Sequence, residues 1–352
     1  MGGFHLSFEG FPLIVGWELT LACNLRCKHC GSSAGQPRPA ELTREEALRI
    51  CDQFPSLLVQ EVDFTGGEPL LRPDWMDIAT HLRDLGIATK ILTNGMALGP
   101  DNVRKIVDAG VSGVGMSLDG LEETHDRIRD HPGSFRQVCK GIELLSRADL
   151  PFTIITTANA LNVNELPALF DLLHEAGVKR WRVQPILPFG RVGGTGNLEL
   201  KESDYLQLED FVRQWVPRAK DVGMTLLRSD GLDYLCEDDP DQRPWRGCPA
   251  GIVSCGITSD GRIKGCLSMP DELVEGDLRK DDFWDIWFHP DSFNYTRPFS
   301  MDQIGPNCVS CDKTEECRGG CTSKSYGYTG RFHNDPYCGR GMALRRQRPT
   351  SS

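Results

Sequence analysis

From residue 13 to about residue 220, short apolar runs alternate with longer stretches whose apolar residues recur every three or four positions. The short runs, bounded by Gly, Asn or Asp, read as buried strands, and the longer stretches read as amphipathic helices. Strands are predicted over 13–20, 62–64, 88–92, 114–118, 152–157 and 180–184. Helices are predicted from Thr43 and over 74–85, 101–109, 134–148, 163–176 and 203–220, the last with Tyr205, Leu208, Val212 and Trp215 at helical spacing. Thr43 with Glu46 three residues on is a capping-box signature, and Asp74 is placed to cap the next helix. Gly110 and Gly177 sit where helices stop before strands.

Six strand-then-helix units favour a parallel α/β sheet. Polar and Gly-rich segments fall after the strands, on the face where such sheets carry chemistry. The pattern fits an open doubly wound sheet and a partly closed barrel equally. Residues 185–194 read as loop, and Glu237-Asp238-Asp239-Pro240-Asp241 is an acidic breaker that marks a domain boundary.

Composition narrows the class. At roughly 150 residues per domain, a chain of 352 residues holds about two domains. With 39% hydrophobic and 25% charged residues it is globular, neither disordered nor fibrous. Lys plus Arg number 39 against 50 Asp plus Glu, a net charge of −11 that argues against a nucleic-acid partner. No apolar run approaches the ~20 residues of a membrane helix. The start Met1-Gly2-Gly3-Phe4-His5 lacks the features of a secretory signal, so the expected compartment is the cytoplasm.

The 14 cysteines change the picture, because clustered thiols in a reducing compartment read as metal ligands. Three stand at Cys23, Cys27 and Cys30, two are scattered at Cys51 and Cys139, and nine run from Cys236 to Cys338. Cys51 and Cys139, inside predicted helices, read as small buried hydrophobes. Cys23-x3-Cys27-x2-Cys30 supplies three soft ligands on a loop after the first strand, enough for three corners of one cluster with the fourth iron open. The competing reading is a zinc knuckle completed by a distant residue.

With His29 just before its last Cys, this motif resembles the loop of the radical S-adenosylmethionine (SAM) enzymes. Further motifs follow in the order of that superfamily: Gly66-Gly67-Glu68-Pro69, Thr93-Asn94-Gly95, Ser117-Leu118-Asp119-Gly120, His125-Asp126-Arg127-Ile128-Arg129 and Trp181-Arg182-Val183-Gln184-Pro185. Singly each is weak; their order on one α/β chain is specific. The resemblance implies a partial (β/α)6 TIM-type barrel, a [4Fe-4S] cluster on Cys23, Cys27 and Cys30, and SAM as cofactor. It implies that Gly66, Gly67, Glu68 and Pro69 hold the methionine amino group, with Thr93, Asn94, Ser117, Asp119 and Arg129 as further SAM contacts. Glu68 would offer its carboxylate to the ammonium; otherwise it is an exposed cap before Pro69. Reductive cleavage of SAM yields a 5′-deoxyadenosyl radical able to take hydrogen from an unactivated carbon.

The C-terminal cysteines resemble the SPASM extension of the same superfamily, with Cys248-x12-Gly261-x4-Cys266, then Cys308-x2-Cys311-x5-Cys317-x3-Cys321, then Cys338. Asp260-Gly261-Arg262 reads as a hairpin turn that pinches Cys248 and Cys266 onto neighbouring strands. Carried over, Cys248, Cys266 and Cys321 bind auxiliary cluster I, with Cys255 as its fourth ligand. Cys308, Cys311, Cys317 and Cys338 bind auxiliary cluster II, giving three [4Fe-4S] clusters in all. Cys236 is a candidate hydrogen donor of the kind radical epimerases use, against a plain linker thiol. The expected division is an N-terminal extension (1–12), radical SAM core (13–222), bridging segment (223–247), SPASM domain (248–340) and basic tail (341–352).

The implied activity is oxidation or crosslinking in maturation of a peptide or protein natural product. The alternative is a small-molecule dehydrogenase, epimerase or decarboxylase acting on a sugar, aminocyclitol or nucleoside. A non-enzymatic zinc ribbon explains Cys308-x2-Cys311 but not the ordered motifs. Leu267-Ser268 follows Cys266 where sulfatase-maturating relatives carry an Asp, which counts against formylglycine formation. Flavodoxin or ferredoxin is the implied electron donor. With 22 residues before Cys23, a peptide leader is expected to need a separate recognition protein.

Overall fold

A computed structural model describes residues 10–194, 197–229, 232 and 246–346. Cys236 and the acidic segment 237–241 lie outside the described residues.

The predicted alternation forms. Strands β1 (Ile14–Thr20), β2 (Glu61–Gly66), β3 (Ala88–Thr93), β4 (Gly113–Ser117), β5 (Phe152–Ala158) and β6 (Arg180–Pro185) pair in parallel, each beside the next. Helices α1 (Arg44–Cys51), α2 (Trp75–Asp84), α3 (Pro100–Asp108), α4 (Glu122–Arg129), α5 (Ser134–Arg147), α6 (Leu166–Glu175) and α7 (Glu202–Asp221) fill the connections. A seventh parallel strand, β7 (Thr225–Arg228), pairs with β6, so the barrel has one strand more than the pattern predicts. Its four residues follow α7 too closely for periodicity to resolve.

Thr43 and Glu46 form the capping box of α1. Asp74 stands at the N-cap of α2 but does not cap it, because both its carboxylate oxygens bind Arg72, at 2.8 and 2.9 Å. The sequence pattern misses α4: only Ile128 is apolar among its eight residues, and its buried face is completed by His125 and Arg129. The predicted helix at 163 begins as a 3-10 turn (Val163–Glu165) before α6 takes over.

Alternation along β1 sets inside from outside. Val15 and Trp17, fully buried, face the helices, where Trp17 meets Phe54 and Phe64 edge-on at 5.9 and 6.4 Å. Gly16 and Glu18 face the barrel.

The Cys-rich region begins inside the same sheet. Strand β8 (Ser254–Ile257) pairs in parallel with β1 on the side away from β2, and β9 (Arg262–Lys264) and β10 (Gly276–Asp277) continue antiparallel. The predicted Asp260-Gly261 hairpin joins β8 to β9, with Gly261 at φ +89°. Cys248 and Cys266 flank this hairpin and do not lie on its strands. Among the described residues the sheet has ten strands and ends at β10 and β7 without closing. Helices α8 (Phe283–Phe288), α9 (Thr314–Cys317), α10 (Thr322–Thr329) and α11 (Gly339–Arg346) complete the chain. The fully buried Lys324 of α10 bonds Asp335 at 3.3 Å and lies 4.7 Å from the Tyr205 ring of α7, fastening the Cys-rich end to the barrel. Among the described residues, no helix is long and apolar enough to cross a membrane.

Candidate active site

At the C-terminal ends of the strands a cavity of about 360 Å³ opens, with Cys23, Cys27 and Cys30 on its wall. Their loop is held by every strand end around it. The amides of Gly67 and Glu68 donate to the carbonyls of Thr20 and Ala22, each at 2.8 Å. A Cβ on Gly66 or Gly67 would come within 2.2 Å of those same two carbonyl oxygens, and Gly66 lies at φ +128°. Close approach to the Cys loop is therefore what requires glycine here.

Glu68 is neither an exposed cap nor part of the cavity wall. It is fully buried, accepting from Thr93 Oγ1 at 2.8 Å, Asn94 N at 2.8 Å and Leu70 N at 3.3 Å. Burial pushes its carboxyl up to about 7 despite these bonds. Pro69, also buried, starts the short 3-10 turn that follows. Asn94 reaches back to the loop, donating from Nδ2 to Asn24 Oδ1 at 2.8 Å and to Cys23 Sγ at 3.7 Å.

Asp119 turns away from the cavity as well. Fully buried, it pairs with Arg129 at 2.5 Å and His29 Nε2 at 3.1 Å, and accepts from Thr157 N at 2.9 Å. Burial alone would raise its carboxyl, but Arg129 and His29 hold it far below the usual carboxylate range. Arg129 in turn donates to Cys27 Sγ at 3.8 Å, opposing the rise that burial imposes on that thiol. His125 donates nothing here: its Nδ1 accepts the Asp119 amide at 3.0 Å, and burial, with Arg129 next, lowers it to about 4.

Of the predicted SAM contacts, Gly66, Gly67, Thr93, Asn94, Ser117 and Arg129 line the cavity, whereas Glu68, Pro69 and Asp119 stand behind it. The donor set fits a cluster and SAM. Three thiols share one wall, and the buried His29 Nδ1 and Arg129 Nε beside them have no hydrogen-bond partner. Sequence reasoning missed Thr157 and Arg191 on the cavity wall, and it quoted Arg182, Gln184, Leu267 and Ser268 without giving them a place in the site. The alternation of β6 was a usable signal, since Arg182 and Gln184 share one face.

The structure gathers the C-terminal cysteines into two groups. Cys248 accepts from the hydroxyl and amide of Thr322, next to Cys321, and its rise by burial is reinforced by the charge of nearby Cys266. Burial, with Asp335 next and other thiols of the group after it, pushes Cys308 up to about 12. Burial, with Cys338 and Cys308 close by, does the same to Cys317. Cys338 rises to about 11, and Cys311 lies near enough to Cys308 to add to its rise. Among the described residues no three His, Cys, Asp or Glu side chains converge tightly enough for a single metal ion.

Cys255 stands apart from both groups. It is paired in register with Val15 and belongs to the apolar core, whereas its neighbour Gly256 faces Leu267 on the barrel side. The strand register aims the side chain of Cys255, the expected fourth ligand of auxiliary cluster I, at the helical layer, where burial raises its thiol and Arg297 opposes the rise. Cys51 and Cys139 lie on α1 and α5, Cys51 fully buried and Cys139 partly so.

A parallel, unclosed α/β barrel with a three-thiol loop on its C-terminal rim defines a radical SAM enzyme. The chain belongs to that superfamily: the family model "Radical SAM superfamily" matches residues 17–173. The chain is 32% identical to the AdoMet-dependent heme synthase of Methanosarcina barkeri, over 95% of this chain and 98% of that protein. It is 30% identical to the mycofactocin maturase MftC of Mycolicibacterium smegmatis, over 96% of this chain and 86% of that protein. Its fold matches Streptococcus suis SuiB bound to S-adenosylmethionine with TM-score 0.74 at 19% identity, covering 90% of this chain and 74% of that one. Such relatives place the chain in the SPASM/twitch branch, whose enzymes use SAM and a [4Fe-4S] cluster.

Proposed function

We propose that the protein oxidises an unactivated C–H position of a peptide natural product under maturation. One observation carries the oxidative reading: Leu267 and Ser268, directly after Cys266, line the same cavity as Cys23, Cys27 and Cys30. Leu267 packs over Gly16 and Gly256, where a Cβ would meet it at 3.4 and 2.7 Å, so this segment is a fixed part of the barrel mouth. When bound, the first cluster with SAM supplies a 5′-deoxyadenosyl radical for hydrogen abstraction, and the C-terminal clusters supply electron acceptance. Cys23, Cys27 and Cys30 would hold the first cluster. Cys248, Cys266 and Cys321 would hold auxiliary cluster I, and Cys308, Cys311, Cys317 and Cys338 would hold cluster II.

The chain's own residues orient and exclude. Ile155, Leu187, Phe189 and Leu267 give the cavity apolar lining that keeps water from a carbon-centred radical, while Ser117, Thr157 and Gln184 on the same wall offer polar anchors. Similarity to a mycofactocin maturase supports the peptide substrate. On this reading flavodoxin or ferredoxin would donate the electron and a separate protein would recognise a leader. A second reading, oxidation of a tetrapyrrole, is favoured by the 32% identity to a heme synthase over nearly its whole length.

Product mass in heavy water tests the oxidative reading. Deoxyadenosine should form in step with a product two mass units lighter, or crosslinked, carrying no solvent deuterium at carbon; an unchanged mass with one deuterium would refute it. Iron coproporphyrin III, the compound in the name of another relative, separates the substrates. A shifted Soret band with deoxyadenosine formation would replace the peptide by a tetrapyrrole.

A further inference from the structure

Among the described residues, one cation on the cavity wall stands without a hydrogen bond or ion pair of its own. Arg129 is taken by Asp119, and Arg191 spends Nε on the carbonyl of Cys27 at 2.7 Å and Nη1 on that of Ala34 at 2.9 Å. Glu18, the carboxylate on the wall, is taken by Arg38 at 2.6 Å. Arg182 of β6 also lines the cavity, yet among the described residues its guanidinium has neither a hydrogen bond nor an ion pair. Asp63 on β2 acts on it through space without an ion pair, and burial raises that carboxyl, which favours its neutral form. Two residues along β6, Gln184 makes only long contacts, 3.5 Å to Thr157 Oγ1 and 3.5 Å from Ser229 Oγ.

An unpaired guanidinium half-withdrawn from water is a costly arrangement unless a ligand completes it. Its planar fork matches a carboxylate through two parallel hydrogen bonds, with the neighbouring amide and hydroxyl donors placed to take the remaining lone pairs. We propose that Arg182, with Gln184 and Thr157, is the receptor for a carboxylate of the substrate, so that the enzyme acts on a carboxylic acid. The proposal rests on the reading of this cavity as a radical SAM site. SAM carries a carboxylate of its own, and the experiment must tell the two sources apart.

The probe is trifluoroacetate, followed by fluorine NMR line broadening on the reconstituted, SAM-loaded, full-length enzyme under anaerobic conditions. Wild type should broaden trifluoroacetate but not neutral trifluoroethanol, and glutarate should reverse the effect. Arg182→Gln should weaken the probe at least tenfold, and Arg182→Lys, which keeps the charge but loses the fork, should fall between. SAM affinity by equilibrium dialysis should stay within twofold in all three proteins. A wild type that does not prefer the anion, or Arg182→Gln with unchanged probe affinity, overturns the proposal. A parallel loss of SAM affinity also overturns it, because the carboxylate would then be that of SAM. Iron content and substrate-free SAM cleavage report separately on the radical SAM reading, whose failure would show there and not in the anion preference.

Discussion

Asp119→Asn is the sharpest perturbation the site allows, because it removes one charge with almost no change of shape. The carboxylate is fully buried and is the counter-charge of Arg129, itself 7% exposed. Removing one partner of a buried ion pair costs about 3–5 kcal/mol, most of it for the cation left uncompensated. Cys27 Sγ, 3.8 Å from Arg129, offsets part of that loss and places the expectation near the lower end. A loss of about 3 kcal/mol is a large share of the 5–15 kcal/mol typical of a folded protein. Urea denaturation of the reduced, iron-free chain measures it, with Arg129→Met and the double variant alongside. The double variant should be more stable than Asp119→Asn alone, since neither charge is then left buried without the other. The pH dependence has a definite sign. A carboxyl whose folded pKa is depressed contributes fully above its unfolded value of about 4, and that contribution fades as pH falls toward the folded pKa. The gap between wild type and Asp119→Asn should therefore be flat from pH 6 to about 8 and shrink in acid. A loss below about 1 kcal/mol, or strictly additive single variants, would refute the pairing.

Glu68 behaves oppositely: its folded pKa is raised to about 7, so its contribution is complete below the unfolded value and lost as pH rises through about 7. Wild type should lose up to about 3 kcal/mol relative to Glu68→Gln between pH 5 and 8, and parallel melting curves across that range would count against the burial argument. Replacing Cys23, Cys27 and Cys30 together by Ala should lower iron from about 12 to about 8 per chain and abolish SAM cleavage. Cys308→Ser with Cys317→Ser should likewise remove about four irons but leave substrate-free SAM cleavage, whereas Cys255→Ala should leave iron content unchanged.

The barrel was legible because its strands bury an apolar face against the helices and its helices are amphipathic, so each announces itself locally. Helix α4 was not, because its inward side is built from His125 and Arg129, whose burial depends on Asp119 and on the cavity that only the assembled barrel creates. Nor was β8: four residues of Ser254–Ile257 carry no sign that their partner is β1, some 240 positions earlier. Cys255 shows the same limit. Its spacing suits a ligand, but strand register decides which way a side chain points, and register is a non-local property. The motifs meet around one cavity as a group, whereas the direction taken by Glu68 and Asp119 required the three-dimensional arrangement.

Those two directions explain why the motifs stand where they do. Every strand end from β1 to β4 sends something to the loop of Cys23, Cys27 and Cys30. Thr20 and Ala22 receive the Gly67 and Glu68 amides, Asn94 binds Cys23 and Asn24, and Asp119 and Arg129 reach His29 and Cys27. A free loop would lose about 1–2 kcal/mol of backbone entropy per residue on being fixed around a cluster. Here the ordering is achieved by the barrel as it folds, and Glu68 links two of the braces by accepting from Thr93 and the Asn94 amide. Spacing along the sequence then reflects geometry around the rim, one brace per βα unit. A residue behind the wall, such as Glu68, is tied to the chemistry as firmly as one on it, because removing it frees the loop that positions the thiols.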